Sequence, residues 1–178
     1  LLKEMKRRDI ETRLGHKMVR FEEDQVVTEG GAFAADLILF MPGLTGPAWL
    51  ENTDLPLSPG GMIAADEMCR VSGREGLWVV GDSGSFPGPE WMPKQAHQAD
   101  LQGVAAAENI ACALKGEAPR RAFKPELICI VDTLDAGMLV FRNQKHNIVL
   151  PKSRIFHWLK RYFERHYLKA FRDASPQR

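Results

Sequence analysis

At 178 residues the chain can bury one good core or two small ones. Its 44% apolar and 26% charged content is ordinary for a folded domain and argues against disorder, and no apolar run reaches the roughly 18 residues of a membrane-spanning helix. The net charge of +1 is unevenly spread: residues 151–178 carry eight Lys or Arg against Glu164 and Asp173, so residues 1–150 are net acidic and the last segment is a separate electrostatic object.

Three cysteines, Cys69, Cys112 and Cys129, stand far apart with no C-x-x-C pair. That pattern argues against a disulfide framework or a metal site and is compatible with a reducing compartment. The opening LLKEMKRRDIETRLG is charged, lacks an initial Met and has no signal-peptide character, so the sequence reads as a piece of a longer protein.

In chain order, Leu1, Leu2 and Met5 share a helical face, and Ile10 to Thr12 begins an extended stretch. Alternation over Met18 to Phe21, a polar turn at Glu22 to Asp24 and a return at Val26-Val27 predict a hairpin. Ala35 to Met41 is a continuous apolar run suited to a strand buried on both faces, stopped by Pro42-Gly43. Leu44 to Gly61 predicts a loop with at most one helical turn, anchored by Trp49 and Leu50. Gly61 to Ala64 predicts a short strand, and Cys69 lies in a polar stretch expected to be exposed, as a free and inert thiol.

Leu77 to Val80 predicts a buried strand running into Gly81-Asp82, then a Gly/Pro-rich loop, then a helix from about Lys94 to Leu114. Small residues at Ala96, Ala99, Gly103, Ala106 and Ala107 would let that helix approach a sheet or ligand closely, with Cys112 in the core and Lys115-Gly116 as its stop. A strand ending in Gly-Asp and feeding a helix N-terminus suits a phosphate or polarised carbonyl, with the Asp accepting bonds from ligand hydroxyls; an ordinary turn with a capping Asp is the alternative. His97 is open between a ligand contact and a hydrogen-bonded histidine.

Leu127 to Asp132 and Met138 to Phe141 predict two strands joined by a turn at 133–137, with Cys129 in the first. From Ser153 to Phe171 the helical spacing separates Ile155, Phe156, Trp158, Leu159, Tyr162, Phe163, Tyr167 and Phe171 from Lys160, Arg161, Arg165, Lys169 and Arg172. Such a helix suits a membrane interface, and packing within the chain or against a second copy is the alternative. The basic residues accompany no reading motif, which argues against nucleic acid.

The segment LWVVGDSGSFPGPEWMPKQAHQAD resembles the second flavin-contacting motif of the two-dinucleotide-binding-domain flavoproteins, the pyridine nucleotide-disulfide oxidoreductase superfamily. Within it the chain most resembles sulfide:quinone oxidoreductase, type II NADH dehydrogenase and flavocytochrome sulfide dehydrogenase. The resemblance implies Asp82, after Gly81, on the ribityl hydroxyls of FAD, with Lys94, Gln95 and Ala96 at the flavin ring and Pro42-Gly43 near it. It implies Cys129 as one of a sulfur-carrying pair whose partner lies upstream of Leu1; a small core residue in a strand is the alternative. It implies quinone near Pro42 and Phe141, and membrane contact through Phe156, Trp158 and Phe163.

The expected fold class is α/β, α+β within these residues: part of a two-dinucleotide-binding-domain flavoprotein with a C-terminal β-hairpin and amphipathic helix. Residues 1–41 would end the pyridine-nucleotide-like domain, 42–120 would belong to the FAD-binding domain, and 121–178 would form the hairpin and helix. The expected function is FAD-dependent transfer of electrons from sulfide or polysulfide to quinone, at the membrane periphery and of prokaryotic type, with a homo-oligomer left open. The alternatives are NADH:quinone reduction and a non-catalytic membrane-docking or dimerisation module. No G-x-G-x-x-G occurs, so these residues alone are expected to hold FAD weakly and to be inactive.

Overall fold

The structure is a computed structural model and describes residues 1–133 and 135–174. Two compact units divide the chain, Leu1–Gly43 and Leu44–Arg178.

The first unit holds helix α1 (Leu2–Arg7) and an antiparallel meander of β1 (Met18–Phe21), β2 (Gln25–Thr28) and β3 (Gly31–Ala34). The expected hairpin gains a third strand, in register Val26↔Phe33 and Thr28↔Gly31. The Thr28 hydroxyl closes that turn, donating to the Gly31 carbonyl at 2.9 Å and accepting from the Gly30 amide at 3.2 Å. Strand β3 is poor in branched residues, and pairing rather than propensity holds it in place. The strand expected over Ala35 to Met41 does not form: Leu37, Leu39 and Met41 are each more than three-quarters exposed. A strand buried on both faces needs neighbours at both edges, and among the described strands none pairs with this run, which only the Ala35 amide ties back, donating to the Asp24 carbonyl at 2.9 Å.

The second unit begins with a 3-10 turn over Ala48–Asn52 that buries Leu50 and leaves Trp49 exposed, so one of the two expected anchors is in the core. Short strands β4 (Ile63–Ala64) and β5 (Gly84–Ser85) pair in parallel. Between them the Asp66 carboxylate accepts from the Met68 and Arg70 amides, each at 2.9 Å, and this Asx-type turn drives Cys69 inward at a φ of 65°. Cys69 is therefore fully buried rather than exposed. Leu77 to Val80 is extended but forms no regular strand. It pairs on one side only, the Val71 amide donating to the Leu77 carbonyl and the Val79 amide to the Cys69 carbonyl, both at 3.0 Å. Val79 is buried while Leu77 and Val80 remain exposed, because one irregular neighbour cannot cover both faces.

Helix α2 (Ala96–Leu114) ends at Lys115 and Gly116, where the Gly116 amide returns to the Ala113 carbonyl and the Glu117 amide to that of Cys112, satisfying the last carbonyls. Its buried face consists of Gln98, Gln102, Ala105, Ala106, Asn109 and Cys112. The small residues Ala96 and Ala107 lie on the exposed side instead. Each buried amide ties the helix to a loop. Asn109 alone donates to the Met68 and Arg121 carbonyls and accepts from the Arg120 and Arg121 amides, at 2.8 to 3.0 Å. Phe86 completes this core, meeting Phe123 edge-on at 5.3 Å.

The C-terminal hairpin is extended to a three-stranded antiparallel sheet of β6 (Leu127–Asp132), β7 (Gly137–Arg142) and β8 (Asn147–Val149). Leu134, within the expected turn, lies outside the described residues. Helix α3 (Arg154–Ala174) packs on one face of the sheet where Gly137 allows it: a Cβ there would stand 2.8 Å from Ile130 Cγ2 and 3.0 Å from Phe156. His157 Nδ1 meets the Asp132 carboxylate at 3.1 Å, and the Tyr167 hydroxyl donates to Asp100 of α2 at 3.1 Å.

Candidate functional site

The turn after Val80 and the start of α2 enclose a cavity of about 130 Å³. Gly81 takes a φ of 70°, a left-handed conformation that suits glycine, and its amide donates to the buried Gln102 Oε1 at 2.8 Å. This bond fixes the Gly81-Asp82 turn against the helix, so that Gly81, Asp82, Gly84, Ser85 and Phe86 form one wall. The opposite wall is Met92 to Gln95 with Gln98, Ala99 and Gln102.

The start of α2 is electropositive and underused. Gln95 precedes the first turn without a side-chain cap, which leaves the first helical N–H groups for another acceptor. Its own Nε2 is buried and has no hydrogen-bond partner among the described residues. A buried amide donor left unpaired costs about 1–3 kcal/mol, so its setting calls for an acceptor at this point.

Lys94 Nζ donates to the Gly84 carbonyl at 2.7 Å and the Asp82 carbonyl at 3.0 Å, clamping the turn across the cavity mouth. Burial pulls the Lys94 pKa below its usual value, and the nearby Asp82 charge opposes the shift. The Asp82 carboxylate is exposed and makes no hydrogen bond among the described residues. The arrangement can bind an elongated polar ligand by three means: a carboxylate for hydroxyls, an amide and helix N–H groups for carbonyl oxygens, and a lysine beside them.

Of the sequence-predicted residues, Gly81, Asp82, Lys94 and Gln95 come together around this cavity. Ala96 opens the helix but its side chain is exposed and outside the lining. Pro42 and Gly43 end the first unit. His97 is hydrogen-bonded, its Nε2 3.0 Å from Glu126 Oε1, and does not line the cavity. Sequence reasoning missed Gln98 and Gln102. Their spacing of four, continued by Asn109, was the available signal for a buried amide face.

Cys129 lies half-buried in mid-β6, opposite Val140. Strand alternation puts Leu127, Cys129 and Val131 on one face with Arg142, Val140 and Met138. Ile128, Ile130 and Asp132 share the other face with Phe141, Leu139 and Gly137, and that face carries α3. Phe141 and Cys129 therefore point to opposite sides of the sheet. The Arg142 guanidinium lies over the Trp91 ring at 4.7 Å, joining the Cys129 face to the loop that leads into the cavity.

On α3, Phe156 is half-buried and packs on Gly137. Trp158 and Phe163 are exposed, along with Ile155, Leu159 and Tyr162. At 100° per residue these form one apolar arc over the first turns, bordered on one side by Arg154, Arg161 and Arg165, with His166 and Lys169 falling within it towards the C-terminal end. No helix among the described residues is long and apolar enough to cross a membrane.

Among known proteins, the sequence profile of the pyridine nucleotide-disulphide oxidoreductase family matches residues 1–103. Dihydrolipoyl dehydrogenase 2 of Haloarcula marismortui is 32% identical over 101 residues, which are 57% of this chain and 20% of that protein. The solved structure of the sulfide:quinone oxidoreductase of Aquifex aeolicus is similar with a TM-score of 0.84 at 20% identity, over 97% of this chain and 44% of that one. A FAD-dependent pyridine nucleotide-disulphide oxidoreductase of Desulfovibrio vulgaris is similar with a TM-score of 0.50 at 19% identity, over 80% of this chain and 37% of the other. The chain thus spans less than half the length of each of these relatives, and the two structural likenesses speak for the fold: α/β, of the FAD-dependent oxidoreductase type.

Proposed function

Because the chain belongs to the pyridine nucleotide-disulphide oxidoreductase family, we propose that it forms the flavin-edge and sulfur-handling part of an FAD-dependent enzyme passing electrons from sulfide to a membrane quinone. The observation that carries this reading is the buried, unpartnered Gln95 amide beside the uncapped start of α2. The residues present fit the ring and ribityl end of FAD. Asp82 would accept from ribityl hydroxyls, while Gln95 and the first N–H groups of α2 would donate to the carbonyl edge of the ring, beside the Lys94 cation. Bound there, FAD would supply a two-electron acceptor that returns its electrons to quinone.

The residues of the chain act around that group. Lys94, tied to two carbonyls of the Gly81 turn, keeps the cavity walls in register and favours negative charge at the ring edge. Cys129 would share a disulfide with a second cysteine. A hydrosulfide ion attacks that bond, the S–S bond breaks, one sulfur leaves as a thiolate and the other keeps the incoming sulfur as a persulfide. The likeness to the Aquifex aeolicus sulfide:quinone oxidoreductase supports sulfide as the donor and quinone as the acceptor. The exposed arc of Trp158, Tyr162 and Phe163 beside its basic border supports a peripheral membrane contact through α3.

The test is anaerobic bleaching of the flavin in the full-length protein by sulfide and by NADH, in wild type and Cys129→Ser. Sulfide is expected to bleach the wild type, and the substitution is expected to slow it at least about a hundredfold. Bleaching by NADH alone, untouched by Cys129→Ser, would replace this reading with NADH:quinone reduction.

A further inference from the structure

The sheet face that holds Cys129 also holds the Arg142 cation. Arg142 is half-buried, and among the described residues no carboxylate lies within ion-pair distance of it. Its position is fixed from two sides. In the ladder it stands opposite Leu127, two residues from Cys129 on the same face, the diagonal relation that brings Cα atoms to about 7–8 Å and lies within reach of a long side chain. Its guanidinium rests on Trp91, one residue before the Met92 of the cavity wall. Stacking occupies the flat face of the group and leaves its edge of N–H donors free for an acceptor.

The acidic residues nearest in sequence are otherwise engaged or remote in the ladder. Glu126 faces His97, and Asp132 lies at the far end of β6, on the α3 face, with His157. A half-buried guanidinium stacked on a ring still presents its N–H edge to solvent, where an anion can take the place of water.

We propose that Arg142 binds the sulfur donor as an anion, hydrosulfide or the charged terminus of a short polysulfide, and holds it beside Cys129. This rests on the sulfur-handling reading above, but the diagonal placement of Arg142 and Cys129 on one sheet face holds whether or not that thiol carries sulfur. The arrangement also explains why an arginine rather than an aliphatic residue ends β7 on a face otherwise made of Met138 and Val140. Trp91 sets the height of the guanidinium, so the loop entering the cavity and the sheet bearing the thiol are aligned by one stack.

The field is read without turnover in the full-length holoprotein, its Cys129 disulfide first opened with a phosphine reductant, by alkylating Cys129 with anionic iodoacetate and neutral iodoacetamide, each followed by peptide mass mapping. Their rate ratio cancels the reactivity of the thiol itself and reports local charge. Arg142→Gln is expected to lower the ratio about tenfold, and Arg142→Lys to keep it within about twofold. In wild type the ratio is expected to fall as salt rises from 0.01 M to 1 M, since exposed-edge charges are screened over about 30 Å and about 3 Å at those concentrations. A ratio unchanged in Arg142→Gln overturns the proposal, and so does one indifferent to salt, should that variant fail to fold.

Stopped-flow bleaching then identifies the donor. With sulfide, and separately with polysulfide, Arg142→Gln is expected to raise the half-saturating concentration about tenfold while the limiting rate changes less than about threefold. The arm that shows this shift names the anion, and no shift in either overturns substrate binding by Arg142. Failure of the sulfur reading is a different result: Cys129→Ser would leave sulfide bleaching intact while the alkylation ratio of the wild type still depended on Arg142.

Discussion

Asp82, Lys94 and Gln95 were legible in the sequence because Gly-Asp before a helix start is a local pattern, and local patterns survive folding. Cys69 was not legible. Its polar neighbours predict exposure, but the Asp66 side chain turns the backbone and puts the thiol at zero exposure against the Gln102 carbonyl, 3.6 Å away. Burial, and then the Asp66 charge, push its pKa up to about 12. The folded state thus disfavours the thiolate: the stabilisation is complete below the unfolded value of about 9 and is lost as pH rises through about 12. Native Cys69 should hold on the order of a thousandfold less thiolate at neutral pH than a free cysteine. Mass mapping after brief alkylation of the phosphine-reduced protein should therefore find Cys129 modified in the folded state and Cys69 only after unfolding; equal labelling of the two would refute the burial of Cys69.

Both long helices were legible in extent, but not in the faces they bury. Helix α2 buries amides beside small residues such as Ala105 and Ala106, because Gln98, Gln102 and Asn109 satisfy loop backbone outside the described strands. Asn109→Ala removes four such bonds and should destabilise the second unit by about 2–4 kcal/mol in denaturant unfolding, where a loss under about 0.5 kcal/mol would contradict the ladder. Helix α3 is seated by Gly137, so Gly137→Ala should force the helix off the sheet at a cost of about 1–3 kcal/mol and raise amide exchange along α3. Its polar anchor resists acid. The hydrogen bond to His157 chiefly holds the Asp132 carboxyl below its usual pKa, so the contact is complete above the unfolded value near 3.8 and is lost only as pH falls through the lower folded value. Protection factors in α3, exchange corrected for its intrinsic pH dependence, should stay flat down to about pH 4, and Asp132→Asn should remove the acid-dependent loss of protection below it.

At the scale of the molecule, the missing strands at 35–41 and 77–80 share a cause: each is an apolar run whose sheet neighbours are not among the described strands, and periodicity cannot count neighbours. The exposed arc of α3 was legible in outline, since 3.6-residue spacing alone gathers Ile155, Trp158, Leu159, Tyr162 and Phe163, although Arg161 stacks on the Trp158 ring at its edge. Full-length protein should bind vesicles of anionic lipid with a blue shift of Trp158 emission. Trp158→Ala with Phe163→Ala should weaken binding at least about tenfold, whereas a concentration-dependent dimer without vesicle binding would assign the arc to a second copy. We propose that the Gly81–Gln102 cavity receives the ring and ribityl end of a flavin. The most direct test is the flavin content and FAD dissociation constant of the full-length protein in wild type, Asp82→Ala and Gln95→Leu. Wild type should carry about one FAD per chain, with affinity falling about ten- to a hundredfold in each variant as one ligand hydrogen bond is lost. Undiminished affinity in both variants, with their melting temperatures unchanged, would mean that the flavin lies elsewhere.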